Sequence, residues 1–146
     1  MKDRTFKAVP AGSITVNSAR KQVLLDFQKT AAIRFRSLDL LNLSFVHRSA
    51  SNEFPQKVNN ERLEFLGDAV LSAAVAHYLF KKYPYKGEGF LTEMRSKMVN
   101  RATLNDIAVR MGLKKITIYN KGDNSLKISQ IFGNTLEALL GAIYLD

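Results

Sequence analysis

The sequence predicts an all-α domain, and three observations support this. Apolar residues recur at three- and four-residue spacing along most of the chain. Asn, Ser, Gly and Pro residues divide this pattern into segments of helical length. The alternation typical of strands is confined to Ile116–Tyr119, which we expect to form a short extended piece. With 146 residues and 46% hydrophobic composition, the chain can bury one core and predicts one domain.

The amino-terminal part predicts an arm followed by two helices. Residues 1–17 mix polar, basic and apolar types without a sustained period, so we expect a flexible basic arm. The domain proper then covers residues 18–146. Its first helix is expected from Ser18, as N-cap, to about Phe35, and a second short helix from about Leu38 to Val46.

The remainder predicts one long helix and three shorter ones. A polar loop is expected from Ser49 to Asn59, because Pro55 interrupts it. A turn is expected at 85–89. Gly112 is expected to end the helix predicted at about 102–111. The helices themselves are predicted at about 60–82, with Asn59 or Asn60 as cap, and at about 90–99, 102–111 and 129–145.

The charge of the chain favours a polyanionic partner. The formal net charge is +9, from 22 Lys and Arg against 13 Asp and Glu. Such an excess on a small domain is typical of nucleic-acid binding, although solvated basic surfaces are also common. Three of the acids are concentrated between Glu61 and Asp68, so an acidic cluster lies within a basic protein. A metal-dependent nuclease needs both features, since cations bind phosphates and carboxylates bind the metal.

Several classes of protein are disfavoured by composition. The chain has no cysteine, which excludes disulfides, thiolate metal sites and a cysteine nucleophile. The longest mostly apolar stretch, Ala69–Phe80, is too short to span a bilayer, and the first residues contain no secretory signal. We therefore expect no membrane association and a cytoplasmic location. Of the two histidines, His47 and His77, we expect both to be structural, with His77 in the core.

The segment Asn60–Leu71 carries three carboxylates on one helical face. Glu61, Glu64 and Asp68 fall within an arc of about 60° at helical spacing. Leu63, Leu66, Val70 and Ala73 are expected to fill the opposite side. Like charges on one face disfavour one another's ionisation unless a cation neutralises them. The pattern therefore predicts a divalent metal site.

A second acidic position lies in the last predicted helix. Glu137 is the only charged side chain between Ile131 and Leu145, so it must face solvent or a partner. Asn134 precedes it by one helical turn and lies on the same side. If the two acidic helices pack together, their oxygen atoms form the kind of site that Mg²⁺ or Mn²⁺ prefers.

These two segments resemble the ribonuclease III family. NERLEFLGDAVL matches the family signature almost letter for letter, and LEALLGAIYLD resembles its second acidic helix. His47-Arg48-Ser49 and the segment from Glu88 to Arg95 also look like family segments. The resemblance covers about residues 20–146, and two separately placed motifs make it specific.

The resemblance implies an all-helical endonuclease domain that homodimerises and binds double-stranded RNA along the dimer interface. It implies Mg²⁺-dependent hydrolysis of each strand to 5′-phosphate and 3′-hydroxyl ends, in the processing of rRNA and mRNA. Many relatives also carry a double-stranded-RNA-binding domain after the nuclease domain, and residues 18–146 leave no room for one.

The resemblance also assigns roles to individual residues. Glu64 and Glu137 look like metal ligands, and Asp68 acts beside Glu137 in activating the attacking water. Glu61 and Glu88 look like supporting acids, with Glu88 directed toward the processing centre in the dimer. Phe65 looks like the aromatic that inserts into the partner subunit, although an ordinary core position is the alternative.

One position departs from the family pattern. Asn134 stands where the family usually has aspartate, and an amide oxygen can coordinate a hard cation but brings no negative charge. Two interpretations remain open: a natural variant that still cuts RNA, or a single introduced substitution that traps the substrate-bound state. We favour the natural variant, because the neighbouring Gly133 also differs from the pattern.

Two alternatives belong to other functional classes. A non-cutting double-stranded-RNA-binding module of the same fold is favoured by Asn134. A di-metal helical bundle for oxygen chemistry is disfavoured, because it needs Glu-x-x-His pairs and neither histidine has a Glu three residues before it. Serine nucleophile chemistry is likewise unsupported, since no serine has an evident histidine and acid partner.

Overall fold

The computed structural model describes residues 16–54 and 57–146, and over these it confirms the predicted all-α class. Residues 1–15 of the arm expected at 1–17, and Pro55, lie outside the described residues. The helices are α1 (Ser18–Thr30), α2 (Leu38–Ser44), α3 (Glu61–Lys82), α4 (Glu88–Met98), α5 (Arg101–Arg110), α6 (Leu113–Ile116) and α7 (Ile128–Leu145), and a 3₁₀ helix covers Arg48–Glu53.

Three of the seven α-helices in the described residues, α1, α2 and α5, begin at a side-chain cap. The Asn17 side chain accepts a hydrogen bond from the Arg20 amide at 2.8 Å, so the prediction of Ser18 as N-cap was wrong by one residue. Asn100 caps α5 in the same way, through the Thr103 amide at 2.9 Å. The first helix ends at Thr30 rather than near Phe35, because Ala32 adopts a positive φ of 53° that an α-helix cannot continue.

Helix α7 is the centre of the domain. Nine of its 18 residues are buried, and it packs against α2, α3, α5 and α6. Leu41, Leu104 and Leu113 from the surrounding helices belong to the same core cluster as Phe132 and Leu139 of α7. The mostly apolar last helix is therefore surrounded by protein, and Glu137 lies on the one side that opens into a cleft.

Two glycines let α3 and α7 cross at backbone contact. A Cβ atom added at Gly67 would lie 1.6 Å from the carbonyl oxygen of Glu137, and one at Gly141 would lie 2.2 Å from that of Leu63. No other residue type fits either position without moving a helix axis. The crossing places the Glu137 backbone against α3 between Glu64 and Asp68 in sequence, which brings both acidic motifs to one place.

The connections contain three features that differ from the predicted boundaries. The second helix ends at Ser44 instead of Val46, because Val46 forms a parallel bridge with Ile118. This bridge confirms that Ile116–Tyr119 is partly extended. The expected loop after residue 49 contains a 3₁₀ helix, and the one-turn helix α6 follows Gly112, whose φ is +82°.

Helix α3 is uncovered along much of its length. Only Leu63, Gly67 and Leu79 of its 22 residues are buried, and Phe80 is 72% exposed. Ala73, predicted to face the core, is exposed because the crossing with α7 covers only a narrow stripe. By length and composition alone α3 could cross a membrane, a test that core helices of globular domains also pass.

Candidate active-site cleft

A cleft of about 1300 Å³ lies between the start of α3, the middle of α7 and the start of α5. Its walls contain every acidic residue predicted for the site except one, together with Asn134 and the exposed Phe65. These acids are Glu61, Glu64, Asp68 and Glu137. The two sequence motifs, about 70 residues apart in the chain, therefore share one cleft, as their spacing on the two helices predicts.

The start of α3 is held in place by two asparagines. Asn60 is 1% exposed, its backbone amide donates to the Val46 carbonyl at 2.9 Å, and its side-chain amide donates to the Ser44 carbonyl at 3.0 Å. Asn59 accepts from the Glu61 amide at 3.0 Å, which satisfies one of the free donors of the first turn. The acidic face of α3 is thereby oriented by buried hydrogen bonds rather than by the carboxylates themselves.

Glu137 has a strongly raised pKa. Burial raises the pKa of its carboxyl group to about 7, and the negative charges of Asp68 and Glu64 contribute to the increase. The cation of Arg101 opposes them. A carboxylate held among like charges in a cleft is a site where a cation binds favourably, because the cation removes the repulsion.

Glu64 shows the same effect on the facing helix. Burial raises the pKa of the Glu64 carboxyl group, and Glu61 and Asp68 raise it further, whereas Arg101 and Arg48 lower it. Glu61 itself is exposed and lies 3.4 Å from the guanidinium of Arg48. Such an exposed pair contributes little to stability. Of the four acids, Glu64 and Glu137 are the less exposed to solvent, and the charges of neighbouring acids raise the pKa of both.

The chemistry of these side chains fits a hard divalent cation. Carboxylate oxygens from both helices, with the amide oxygen of Asn134 beside them, are the donors that Mg²⁺ and Mn²⁺ accept. In residues 16–54 and 57–146, no three His, Cys, Asp or Glu side chains converge closely enough to form a ready metal cage. The cleft thus contains oxygen atoms that can coordinate a cation, and a bound cation would relieve the repulsion between its carboxylates. These carboxylates come from both α3 and α7.

His47 is a cleft residue with a defined hydrogen-bonding role. Its Nδ1 atom accepts from the Ser49 amide at 3.2 Å and lies 2.9 Å from the Ser49 hydroxyl oxygen. That hydroxyl oxygen also accepts from the Asn120 amide at 3.0 Å. Burial lowers the pKa of His47, and the charge of Arg48 lowers it further. The charge of Glu61 opposes this lowering, and the contacts with Ser49 hold the imidazole in the cleft wall.

Three predicted positions lie elsewhere or differ from expectation. Glu88 does not line the cleft; it is exposed in the first turn of α4 and accepts from the Thr92 hydroxyl at 2.7 Å. His77, expected in the core, is exposed because it faces away from α7. Phe65 is 82% exposed, which excludes the core alternative for this aromatic ring.

Sequence reasoning missed the cationic side of the cleft. Arg101 and Lys127 line the same cleft as the acids. Arg101 begins α5, and Lys127 directly precedes α7, which also contributes Gln130. Asn100 is a good cap residue, so the sequence predicts that Arg101 begins a helix. The residues around Arg101 do not predict that it lies near Glu137. The mid-helix glycines Gly67 and Gly141 were a second unused signal, because glycine inside a helix often marks a close approach.

Comparison with known proteins agrees with this geometry. A family model described as ribonuclease-III-like matches residues 38–146. A ribonuclease 3 from Phocaeicola vulgatus is 43% identical over 128 residues, covering 86% of this chain and 41% of the relative. A ribonuclease 3 from Treponema denticola is 40% identical over 131 residues, covering 87% of this chain and 53% of the relative. The chain spans about half the length of these curated relatives.

Solved structures show the same fold. A nuclease domain of ribonuclease III from Campylobacter jejuni, described for structural flexibility in a region involved in dimer formation, has a TM-score of 0.72 at 34% identity, covering 82% of each chain. Dicer from Pichia stipitis has a TM-score of 0.56 at 33% identity, covering 75% of this chain and 46% of Dicer. Since the family model matches most of the sequence, this chain belongs to the ribonuclease III family.

Proposed function

We propose that this domain is a homodimeric endoribonuclease that hydrolyses double-stranded RNA with Mg²⁺, or Mn²⁺ in its place, in rRNA and mRNA processing. The observation that carries the proposal is the α3–α7 crossing at Gly67 and Gly141, which brings carboxylates of both helices into one cleft. Family membership and the net charge of +9 support a polyanionic RNA substrate.

The residues of the cleft have separate roles in this proposal. Glu64, Asn134 and Glu137 would hold the cation, which lowers the pKa of a water molecule and offsets negative charge on the phosphate. Asp68 is exposed at the cleft and acts with Glu137 to orient the attacking water and accept its proton. Glu61 supports the site through its pair with Arg48. The products are 5′-phosphate and 3′-hydroxyl ends.

Exposed aromatic surface supports the homodimer. Phe65 extends from the rim of the cleft, and Phe80 is exposed on the same helix. Large exposed apolar side chains close to a functional site are typical of an interface. We propose that Phe65 contacts the partner subunit and that Glu88, which is distant from this subunit's cleft, approaches the cleft of the partner.

The test is incubation of the purified domain with a long RNA duplex and Mg²⁺. We expect short duplex products with 5′-phosphates, and no products with EDTA, with a DNA duplex or with Glu64→Gln. Asp26→Asn is the control, because Asp26 is an exposed acid on α1 that lies 4.0 Å from Lys29 and outside the cleft.

An intact duplex with a mobility shift would contradict the nuclease and favour the second candidate, a non-cutting binding module. The observation behind that candidate is Asn134, whose amide brings no charge to the cation site. Cleavage restored by Asn134→Asp would then identify the amide as the cause.

A further inference from the structure

Arg101 has a position in the cleft that the assigned roles do not use. It is the first residue of α5, and its backbone is held against α7 by a glycine. A Cβ atom at Gly133 would lie 3.6 Å from the Arg101 carbonyl oxygen and 3.3 Å from the Asn105 amide nitrogen. The first turn of α5 is therefore in close contact with α7 one helical turn before Glu137, which fixes where the Arg101 side chain begins.

Arg101 lies in the same cleft as the acids but forms no ion pair with any of them among the described residues. It lines this cleft with Glu64 of α3 and Glu137 of α7. Among residues 16–54 and 57–146, Arg101 makes no ion pair within 4.0 Å, whereas Arg48 and Arg110 each contact a carboxylate. Its N–H groups thus remain available, and a guanidinium fork matches two phosphate oxygens.

Two surface grooves meet at Arg101. The acidic cleft lies on one side of it, and a second groove of about 550 Å³ runs between α5 and the start of α7 on the other. Arg101 and Gln130 line both. A polyanionic chain that leaves the acidic cleft along the second groove must pass over this side chain.

We propose that Arg101 binds a backbone phosphate of the RNA strand that lies in the acidic cleft. This inference rests on the proposed function, because it takes RNA as the occupant of the cleft. The four acids repel an approaching phosphate, and a fixed guanidinium between the two grooves offsets that repulsion where the strand leaves the cleft. Arg101 is in this view a substrate-positioning group that acts whether or not the cation is bound.

The test measures binding of a labelled RNA duplex in EDTA, so that no cation or cleavage is involved. We expect Arg101→Ala to weaken RNA binding about tenfold and to reduce the slope of log affinity against log salt by about one. Arg101→Lys should recover part of the affinity, since lysine keeps the charge but loses the fork. Arg34→Ala is the control, because it removes the same charge from an exposed position between α1 and α2 that lines neither groove.

Unchanged RNA affinity and salt slope in Arg101→Ala would overturn the inference while leaving the nuclease proposal intact. If Arg101 only offsets the acidic charge, Arg101→Ala should instead tighten Mg²⁺ binding, measured by titration calorimetry without RNA, and leave RNA affinity unchanged. If the wild-type domain binds no RNA duplex in EDTA, the inference about Arg101 fails, whereas the nuclease proposal fails only if the duplex also stays intact with Mg²⁺. If it binds RNA and Arg101→Ala binds more weakly, but neither cuts RNA with Mg²⁺, only the nuclease proposal fails.

Discussion

Helices α3 and α7 both carry acids of the cleft, but they are held in opposite ways. Helix α7 is surrounded by other helices, and half of its residues are buried. Helix α3 is four residues longer, yet it buries only three residues and is held by the glycine crossing and by Asn60. One acid-bearing helix is therefore set by the core, whereas the other depends on a narrow contact and leaves a surface for a partner.

The largest expected effect comes from breaking the narrow contact. Gly67→Ala places a methyl group against the rigid Glu137 backbone, so we expect a loss of about 3 kcal/mol or more in the free energy of unfolding. Chemical denaturation measures it. Gly89→Ala in α4 is the control, because its added Cβ meets nothing within 4 Å, and we expect unchanged stability or a gain of up to about 0.5 kcal/mol. Equal stability of the two variants would mean that the crossing is not tight.

The uncovered side of α3 is tested by Phe65→Ala. If Phe65 anchors the dimer, its truncation should weaken dimerisation by about 2 kcal/mol, or about thirtyfold in the dimer dissociation constant. Analytical ultracentrifugation over a concentration series measures this constant. Val109→Ala truncates an exposed apolar side chain on α5 and should leave it unchanged. A wild-type domain that stays monomeric at high concentration would refute the homodimer.

The contribution of α7 to the cation site is tested by Asn134→Asp. A new carboxylate one turn before Glu137 should lower the Mg²⁺ concentration for half-maximal cleavage about tenfold, corresponding to about 1.4 kcal/mol. Gln130→Glu adds the same charge to the cleft one turn earlier. An equal shift in both variants would indicate general electrostatic attraction rather than coordination by position 134.

The smallest expected effect concerns the pH dependence of stability without metal. The pKa of Glu137 is raised from 4.5 to about 7, so the folded protein binds more protons than the unfolded chain between these values. This raised pKa therefore lowers stability as pH increases from about 4.5 to about 7. The cleft is open to solvent, and we expect about 1 kcal/mol or less after screening.

Glu137→Gln should remove this dependence and make the metal-free domain more stable than wild type near pH 8, with little difference near pH 5. Thermal unfolding in EDTA at the two pH values measures the difference. Glu93→Gln is the contrasting control, because a hydrogen bond from Lys97 lowers the pKa of that exposed carboxyl group. Equal pH dependence in wild type and Glu137→Gln would refute the raised pKa.

Prediction from the sequence succeeded best for these same two helices. The boundaries of α3 and α7 were placed within about one residue, because long periodic segments carry strong local signals and Pro84 follows α3. One-turn elements such as α6 and the 3₁₀ helix have no periodicity to detect, and both were missed. The exposed positions of Ala73 and His77 were also missed, because periodicity gives the faces of a helix but not how much of each is covered.

The order of residues by itself determined which side chains share a helical face: Glu61, Glu64 and Asp68 on one helix, and Asn134 and Glu137 on another. Both follow from the 3.6-residue period of a single helix. Only the tertiary structure decided that the two faces meet at a glycine crossing and that Arg101 stands between two grooves. The physical reason is that these positions depend on interaxial distance and on contacts between segments distant in the chain, which local periodicity does not encode.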